Sequence, residues 1–435
     1  MVALLLWACS CTEPTDSSAT DSPADSPSPG DSTTIDSVVE RPELTSPAEA
    51  IDLDDAADVV RVQLTAAATE SGYAYNEQVP GPTLRATLGD TLVVEFQNDL
   101  ETPTTIHWHG VHVPWEMDGV TWMGSPIPTG GSFTYTFPLD QVGTFWYHPH
   151  FDTAHQMDLG LYGVLIVEDP DAPDMDELVV VFDAPDEVMT DEHHHPEGTE
   201  LGWTANGLVD PIFWGDGPTR VRVLNASNTG YLALNAPGKR IASDQGWVAH
   251  TEPEQVVLGP GDRVELEWTT DGDLTTAPYS LQGGPTLGDD IRVLTAEGCE
   301  GSSEAWPELT DAPTLDPGHT DIVYVFQGGP EGWLINGESF PEVTIEEVAL
   351  GDSAIIEVRN LSPSHHPFHL HGMAFEVLSI DGVAPAARTL EDNLDIPLYG
   401  VARLRLEATN PGDWMTHCHI LPHAEGGMMT VLRVQ

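Results

Sequence analysis

The chain has 435 residues, enough for two to four domains, and 40% of them are hydrophobic, which suffices for real cores. Its formal net charge is −57, with 71 acidic residues and one lysine, Lys239. So large a negative charge excludes electrostatic binding to nucleic acid or to an anionic membrane surface, and it favours solubility through self-repulsion. The charge is typical of adaptation to a salty habitat; a surface that gathers metal cations is the alternative.

The first 45 residues have the composition of a leader followed by a linker. Residues 2–8 are apolar and end at Cys9, a stretch far too short to span a bilayer as a helix. This stretch resembles the end of a bacterial lipoprotein signal peptide, in which Cys9 carries a lipid, although a positively charged start is missing. Residues 12–45, rich in Ser, Thr, Asp and Pro, predict a disordered tether. We expect an exported protein, periplasmic or at the cell surface, anchored through Cys9; an ordinary secretion signal is the alternative.

The rest of the chain has the pattern of an all-β protein. Short alternating or β-branched runs, such as residues 91–96, 263–268 and 403–407, are separated by Gly, Pro, Asn and Asp. This pattern predicts β-sandwiches. We place three modules at residues 46–172, 173–316 and 317–435, after the leader and linker at residues 1–45. The middle module has no His-X-His pair, and we interpret it as a spacer that sets the geometry of the other two.

Four His-X-His pairs stand out in the first and third modules. They are His107 and His109, His148 and His150, His369 and His371, and His417 and His419. On an extended strand, residues i and i+2 share a face, so each pair presents two imidazoles in one direction, which suits a metal. Between His417 and His419, Cys418 points to the other face. One strand can therefore serve two metal sites.

The pairs belong to an internal repeat. The Gly-Asp-Thr at residue 89 and the His-X-His-Gly that follows it reappear 262 positions later, from Gly351 to Gly372, with serine in place of the threonine. The segment from Gly143 to His150 recurs 269 positions later, from Gly412 to His419. Two copies of one β-rich module thus supply two pairs each, and we predict that the site lies at the interface between the copies.

Four further ligand candidates surround the last pair. His366, Cys418, His423 and Met428 provide two imidazoles, a thiolate and a thioether, the ligand set of a blue-copper electron-transfer centre. The eight paired histidines can hold a second, all-imidazole cluster. Imidazole suits copper, zinc, iron and nickel alike, so zinc binding or satisfied core histidines are the alternatives for the pairs taken alone.

The four segments resemble the four copper-binding signatures of the multicopper oxidases, the family of laccases, bilirubin oxidases, ferroxidases and cuprous oxidases. The resemblance covers nearly everything after residue 46. It implies three consecutive cupredoxin-like Greek-key β-sandwich domains and four copper ions, one of type 1, one of type 2 and two of type 3. It assigns His366, Cys418, His423 and Met428 to type 1, His107 and His369 to type 2, and His109, His148, His150, His371, His417 and His419 to type 3.

The resemblance also implies a reaction. A donor gives one electron at a time to the type 1 site, Cys418 conducts it to His417 and His419, and four electrons reduce dioxygen to two waters. Asp118 matches the acidic residue to which the family assigns proton delivery; a plain turn residue before Gly119 is the alternative. A second carboxylate found in many bacterial members is replaced by Ala424, and Glu425 stands one place later.

The donor is not fixed by the copper ligands. We expect a laccase-like oxidase of phenols or aromatic amines, acting as a monomer. A metallo-oxidase of Cu(I), Fe(II) or Mn(II) in metal detoxification is the alternative, weakened because the ten methionines form no cluster beyond Met428 and Met429. A non-catalytic copper-binding or structural protein is the second alternative, and the full ligand set argues against it.

The remaining candidates carry weaker signals. Cys299 is interpreted as a bystander, and a pairing with Cys11 has no support. His365 is expected to be a solvated neighbour of His366. His112 and His155 are candidates for contacts around the metal ligands. The three histidines at residues 193–195 lie in an acidic loop that either scavenges copper or has no metal role.

Overall fold

The computed structural model describes residues 41–121, 124–184, 202–282, 284–285, 290–329 and 332–435. The predicted leader, Cys9, Cys11 and the histidines at 193–195 lie outside these residues. Residues Arg41–Gln435 form one compact unit. Within the described part of the chain, no helix is long and apolar enough to cross a membrane.

The first module contains two four-stranded sheets. Its strands are β1 (Val59–Ala68), β2 (Tyr73–Tyr75), β3 (Gly81–Thr87), β4 (Thr91–Asn98), β5 (His107–His109), β6 (Ser132–Pro138), β7 (Gly143–His148) and β8 (Gly163–Glu168). The sheet orders are β2-β1-β4-β6 and β3-β8-β7-β5. A short helix α1 (Thr153–Asp158) follows β7, and a 3-10 turn spans Trp115–Met117.

The middle module contains a six-stranded and a five-stranded sheet, with a small two-stranded ribbon. Its strands are β9 (Asp176–Asp183), β10 (Thr204–Ala205), β11 (Ile212–Trp214), β12 (Thr219–Asn225), β13 (Leu232–Asn235), β14 (Lys239–Ser243), β15 (Gly246–Thr251), β16 (Gln255–Leu258), β17 (Arg263–Trp268), β18 (Gly272–Ala277), β19 (Tyr279–Ser280), β20 (Gly284–Pro285) and β21 (Ile291–Glu297). The orders are β10-β9-β12-β17-β14-β15, β11-β21-β18-β13-β16 and β19-β20.

The third module repeats the plan of two packed sheets. Its elements are β22 (Ile322–Gly329), β23 (Gly332–Ile335), β24 (Glu346–Val348), β25 (Ser353–Asn360), β26 (His366–Leu370), β27 (Phe375–Ile380), β28 (Leu390–Glu391), β29 (Asn393–Ile396), β30 (Val401–Glu407), β31 (Gly412–Cys418), α2 (Leu421–Glu425) and β32 (Met429–Val434). The sheet orders are β23-β22-β25-β30-β27-β28 and β24-β32-β31-β26-β29.

The all-β prediction is confirmed, and the strands form where the sequence alternates. In β30, Ala402, Leu404 and Leu406 are buried in the core while the residues between them are partly or fully exposed. This is the period of two that a half-buried strand requires. Each pair of packed sheets takes its strands from one of the three predicted modules.

The internal repeat is also a repeat of strand pairing. In the first module, β5 pairs antiparallel with β7, with His107 opposite His148. In the third module, β26 pairs antiparallel with β31, with His369 opposite His417. Equivalent histidines of the two copies therefore occupy equivalent strands, and the sequence offsets of 262 and 269 correspond to one shared structural unit.

The predicted linker extends too far, because residues 41–45 are packed against the middle module. Arg41 Nη2 lies 2.6 Å from Asp210 Oδ1, and the Arg41 Nη1 group donates to Thr295 Oγ1 at 2.7 Å. Leu44 is buried in the core of the middle module. The composition of this segment resembles that of the tether before it. The segment is nevertheless held in place, because Leu44 is buried in a core and Arg41 pairs with a carboxylate.

Candidate metal centre

The eight paired histidines of the first and third modules converge into one buried cluster. The imidazoles of His107 and His371 stack with ring centroids 3.8 Å apart, and so do those of His109 and His369. Each stack joins one histidine from each module. The other four complete the cluster, with ring centroids 5.5 Å apart for His150 and His417 and 5.7 Å apart for His148 and His419.

Backbone carbonyls orient four of these imidazoles. The Nδ1 atoms of these rings lie 2.8–3.0 Å from a carbonyl oxygen, in the pairs His107 with Asp118, His148 with Pro149, His369 with Asp392, and His417 with Cys418. A neutral imidazole that donates from Nδ1 has its lone pair on Nε2. The backbone therefore turns four lone pairs towards the inside of the cluster.

These inward nitrogens have the character of metal ligands. The Nε2 atoms of His107, His148 and His369 are buried without a hydrogen-bond partner among the described residues. Both ring nitrogens of His109 and His419 also lack a partner, and each of these neutral rings offers one of its two nitrogens as an acceptor. His371 Nε2 and His417 Nε2 face each other at 3.0 Å. Leaving buried acceptors without partners is costly, and metal ions bound between the rings would satisfy them.

Burial keeps the cluster neutral. It lowers the pKa of His150 to about 3, and it holds the pKa of His148, His371 and His417 well below the usual range, with neighbouring imidazoles adding to the effect. Metals bind deprotonated imidazole, so the cluster is ready for metal at neutral pH without losing protons first.

Asp118 lies between two histidines of the cluster. Its carboxylate Oδ2 is 2.8 Å from His371 Nδ1, and its carbonyl oxygen accepts from His107 Nδ1 at 3.0 Å. The residue is fully buried. Gly119 follows with a φ of +78°, and a Cβ there would lie 1.8 Å from the carbonyl oxygen of Ile106, so only glycine allows this close turn. Asp118 therefore orients His107 and His371, which is more than a plain turn residue does.

Asp392 is a site residue that the sequence analysis missed. Its carbonyl oxygen accepts from His369 Nδ1, and its carboxylate Oδ1 lies 2.9 Å from His109 Nε2, outside hydrogen-bond geometry. Arg263 of the middle module donates to both carboxylate oxygens. Burial alone would raise the pKa of Asp392, but Arg263 and His369 outweigh it and hold the pKa well below its usual range.

Arg263 is expected to be essential for stability. It is fully buried and pairs with both Asp392 and Asp244. Replacing Arg263 by alanine leaves the buried carboxylate of Asp392 without its cation, so the free energy of unfolding should fall by about 3–5 kcal/mol. Denaturant unfolding measures this change. The control is Arg292→Ala, because the exposed pair of Arg292 with Asp210 is worth at most about 1 kcal/mol. Equal losses in both variants would contradict a special role for Arg263.

A second, smaller group surrounds Cys418. Its Sγ lies 3.4 Å from His366 Nδ1 and 3.7 Å from His423 Nδ1, and the two Nδ1 atoms are 3.2 Å apart. Met428 is fully buried, its N–H donates to the carbonyl of His423, and its carbonyl accepts from the N–H of Cys418. These backbone bonds place all four predicted residues in one neighbourhood.

The electrostatics of this group favour a soft cation. Burial raises the pKa of the Cys418 thiol and lowers the pKa of His366 to about 4 and of His423 to about 3. A metal ion that binds the sulfur stabilises the thiolate, and this offsets the cost of burying the charged form. Thiolate with imidazole selects copper or zinc over hard cations.

Strand β31 links the two groups through covalent bonds. His417 shares a group of neighbouring ligand atoms with His150 and His371, whereas Cys418 shares a different group with His366 and His423. The alternation of side chains along an extended strand accounts for this division.

A cavity of about 160 Å³ adjoins the histidine cluster. It is lined by His148, His150 and His417 on one side and by Asp152 and Glu425 among other residues. Glu425 Oε1 accepts from the backbone N–H of Ala154 at 3.0 Å. Glu425 therefore reaches the neighbourhood of the cluster, although the preceding position is Ala424.

The other candidates lie outside both groups. His365 is not a solvated neighbour: its Nδ1 is 2.6 Å from Asp395 Oδ2, and the ring is largely buried. His112 pairs with Asp140 at 3.5 Å, and His155 lies in α1. Cys299 is a free, buried thiol that accepts from Thr219 Oγ1.

An all-β protein with a buried eight-histidine cluster, joined through one strand to a cysteine with two histidines, defines the class of copper-dependent oxidoreductases that use dioxygen as acceptor. Multicopper oxidase family profiles match residues 57–172 and 314–435. The chain belongs to the multicopper oxidase family, as its signatures predict.

Named relatives agree with this assignment. The multicopper oxidase MmcO of Mycobacterium tuberculosis is 29% identical, over 83% of each chain. A multicopper oxidase of Pseudomonas thermotolerans of known structure is 30% identical, with a TM-score of 0.73 over 87% of this chain and 99% of that one. Laccase-1 of Cryptococcus neoformans is 27% identical, over 83% of this chain and 77% of its own length. The predicted cupredoxin-like fold is thereby confirmed, and the family implies copper as the metal.

Proposed function

We propose that the protein is a laccase-like oxidase, which couples four one-electron oxidations of a phenol or aromatic amine to the reduction of dioxygen to water. The observation that carries the choice of donor is the surroundings of the Cys418 group. Trp333 stacks on His423, and Ser362 Oγ is hydrogen-bonded to His366 Nε2 at 2.6 Å. The nearby carboxylate of Asp395 is already held by His365 and Tyr231. Aromatic contacts suit an aromatic donor better than a metal ion.

We assign four copper ions to the two groups. Type 1 copper takes His366, Cys418, His423 and Met428, type 2 takes His107 and His369, and the type 3 pair takes His109, His148, His150, His371, His417 and His419. Two features support this division. The ligand atoms of His107 and His369 lie together in one group of neighbours and those of His150 and His417 in another, with His371 shared between the two groups. The unpartnered inward nitrogens described above provide the lone pairs.

Each residue then has a defined task. Bound copper supplies a one-electron redox couple and a place for dioxygen to react. Cys418 and its neighbours His417 and His419 form the covalent route for electrons between the two groups. Asp118 holds His107 and His371, and we propose that it also passes protons to the reacting oxygen. Burial of the histidine cluster would keep the donor away from the reacting oxygen.

The acidic surface favours a second candidate, a metallo-oxidase of Cu(I), Fe(II) or Mn(II). A net charge of −57 raises the local concentration of cations around the protein, although physiological salt screens exposed charge beyond roughly 8 Å. In this case, metal ions would reach His423 by way of the surface carboxylates.

Oxygen uptake by the copper-loaded chain distinguishes the two candidates. The electron donors are a methoxyphenol in one assay and Cu(I) in the other. Rapid uptake with the methoxyphenol is the result expected for the laccase-like oxidase. Uptake with Cu(I) alone would establish the metallo-oxidase, and no uptake with any donor would leave a copper-binding protein without oxidase activity.

Replacing Met428 by leucine is expected to raise the reduction potential of the type 1 copper. The axial ligand tunes this potential, and a leucine side chain donates no electrons to the metal. Redox titration of the blue absorption measures the change. The control is Met429→Leu, because Met429 is the next residue on the chain and pairs through its backbone with His417. A fall in potential for Met428→Leu would show that Met428 is not the axial ligand.

A further inference from the structure

Trp333 contacts both imidazoles of the Cys418 group. Its indole stacks on His423 with ring centroids 3.6 Å apart and an angle of 24° between the planes. The same ring meets His366 edge to face, with centroids 5.8 Å apart. Trp333 belongs to β23, which pairs with β22 and contributes no predicted metal ligand. One aromatic ring therefore covers the histidine side of the group.

Two glycines hold this indole in place. A Cβ on Gly328, directly opposite Trp333 in the β22–β23 pair, would lie 2.2 Å from Cζ3 of the indole. A Cβ on Gly426, just after α2, would lie 2.5 Å from Cδ1. The space that the ring fills therefore exists because both positions lack side chains. Such a close fit is unlike that of a surface aromatic free to change rotamer.

Trp333 is also the most accessible member of the stack. The indole is partly exposed, whereas His366 is fully buried and His423 is 9% exposed. The remaining nitrogen of His366 is occupied by Ser362 Oγ. Trp333 is thus more accessible to a donor arriving from solvent than either imidazole is.

We propose that Trp333 is the docking face for aromatic donors and selects them over donors without a ring. This inference rests on the proposed oxidase function. The ring of a phenol stacks on the exposed part of the indole, and one electron passes through the indole and His423 to the Cu(II) ion that the Cys418 group would hold. The phenol loses this electron and its hydroxyl proton, which passes to water, and leaves as a phenoxyl radical. Trp333 ends the step unchanged.

The acidic surface refines the class of donor. A net charge of −57 repels anions, so carboxylated or sulfonated aromatics are disfavoured. Neutral phenols and neutral or cationic aromatic amines are compatible with both the charge and the aromatic face. Aromatic rings prefer offset or edge-to-face contact, and such contacts add to the gain from area buried.

The test compares Trp333→Leu with Trp333→Phe in the copper-loaded chain. The leucine variant keeps an apolar side chain but removes the aromatic face, and its KM for a methoxyphenol should rise roughly 2- to 10-fold, the range of an aromatic stacking contact. The phenylalanine variant should stay near the parent value. The KM for hexaammineruthenium(II), a cationic donor without an aromatic ring, should remain unchanged in both variants, and the blue absorption should be retained.

Several outcomes would overturn the proposal. One is an unchanged KM for the methoxyphenol in a blue Trp333→Leu protein; another is an equal rise for both donors, which would indicate a structural effect. If the leucine variant loses its blue absorption, Gly328→Ala decides the matter, because the added Cβ displaces the indole from its place. An unchanged KM for the methoxyphenol in that variant would refute the docking role. Failure of the proposed function is distinguishable, since the parent protein would then oxidise no phenol.

Discussion

Replacing Cys418 by serine is expected to abolish the blue absorption and to lower oxygen uptake by more than about 100-fold, the upper end of the loss when residues supporting a metal site are removed. Sγ of Cys418 lies close to the Nδ1 atoms of both His366 and His423, and soft thiolate is the ligand that gives this site its copper character. A serine hydroxyl is harder and stays protonated. The substitution also removes the sulfur through which electrons would pass along β31 to His417 and His419. Absorption spectra and oxygen uptake measure both effects.

The fold should survive this change, because serine and cysteine have nearly the same shape. Burying the hydroxyl costs about 1–3 kcal/mol, which a protein of this size tolerates. The matched control is Cys299→Ser, the same substitution at the other buried cysteine of the described residues, in the middle module. This control should keep both the colour and the oxygen uptake. A Cys418→Ser protein that remained blue would refute the type 1 assignment.

Replacing Asp118 by alanine is expected to lower oxygen uptake about 10- to 100-fold and to reduce copper retention in the histidine cluster. The carboxylate is the hydrogen-bond partner of His371 Nδ1 at 2.8 Å, and it lies 3.1 Å from His107 Nδ1. Without it, His371 loses the contact that orients its ring, whereas the carbonyl of residue 118 still holds His107. Copper content and oxygen uptake are measured on the same preparation.

The control for this prediction is Asp140→Ala, which removes a largely exposed carboxylate of the same module. This variant should behave like the parent protein. The blue absorption should also be unaffected in Asp118→Ala, because Asp118 does not contact the Cys418 group. Unchanged oxygen uptake and copper content in Asp118→Ala would contradict its role as the residue that orients the cluster.

The parts of the site that follow from local spacing could be predicted from the sequence. Residues i and i+2 of a strand share a face whatever the rest of the fold does. The sequence therefore predicts that the two imidazoles of each His-X-His pair point the same way and that Cys418 points the opposite way. The repeat gave the partner strands as well, since equivalent pairs occupy β5 with β7 and β26 with β31.

The contacts made across modules could not be predicted. Asp392 lies 129 residues from Arg263, and no spacing rule connects these two residues, whose ion pair lies beside His109 and His369. The middle module, interpreted as a spacer, thus reaches the cluster with a side chain of its own. Likewise, Trp333 has no sequence motif; the indole is positioned by glycines 5 residues before it and 93 residues after it.

Composition gives a wrong prediction at the start of the folded unit. Residues 41–45 continue a polar, Pro-containing stretch, and local composition gives no sign that Leu44 has a core to enter. The ion pair of Arg41 with Asp210 again joins residues far apart in sequence. The composition of a segment indicates how well water solvates it. Whether the segment packs depends on a partner elsewhere in the chain, which composition does not identify.

The central claim is that this chain reduces dioxygen by four electrons, and the ratio of donor oxidised to oxygen consumed tests it most directly. The measurement combines an oxygen electrode with the absorbance of the one-electron oxidised donor, in the copper-loaded chain. We expect four donor molecules to be oxidised for each dioxygen, with no hydrogen peroxide released. A ratio of two, with hydrogen peroxide accumulating, would contradict it.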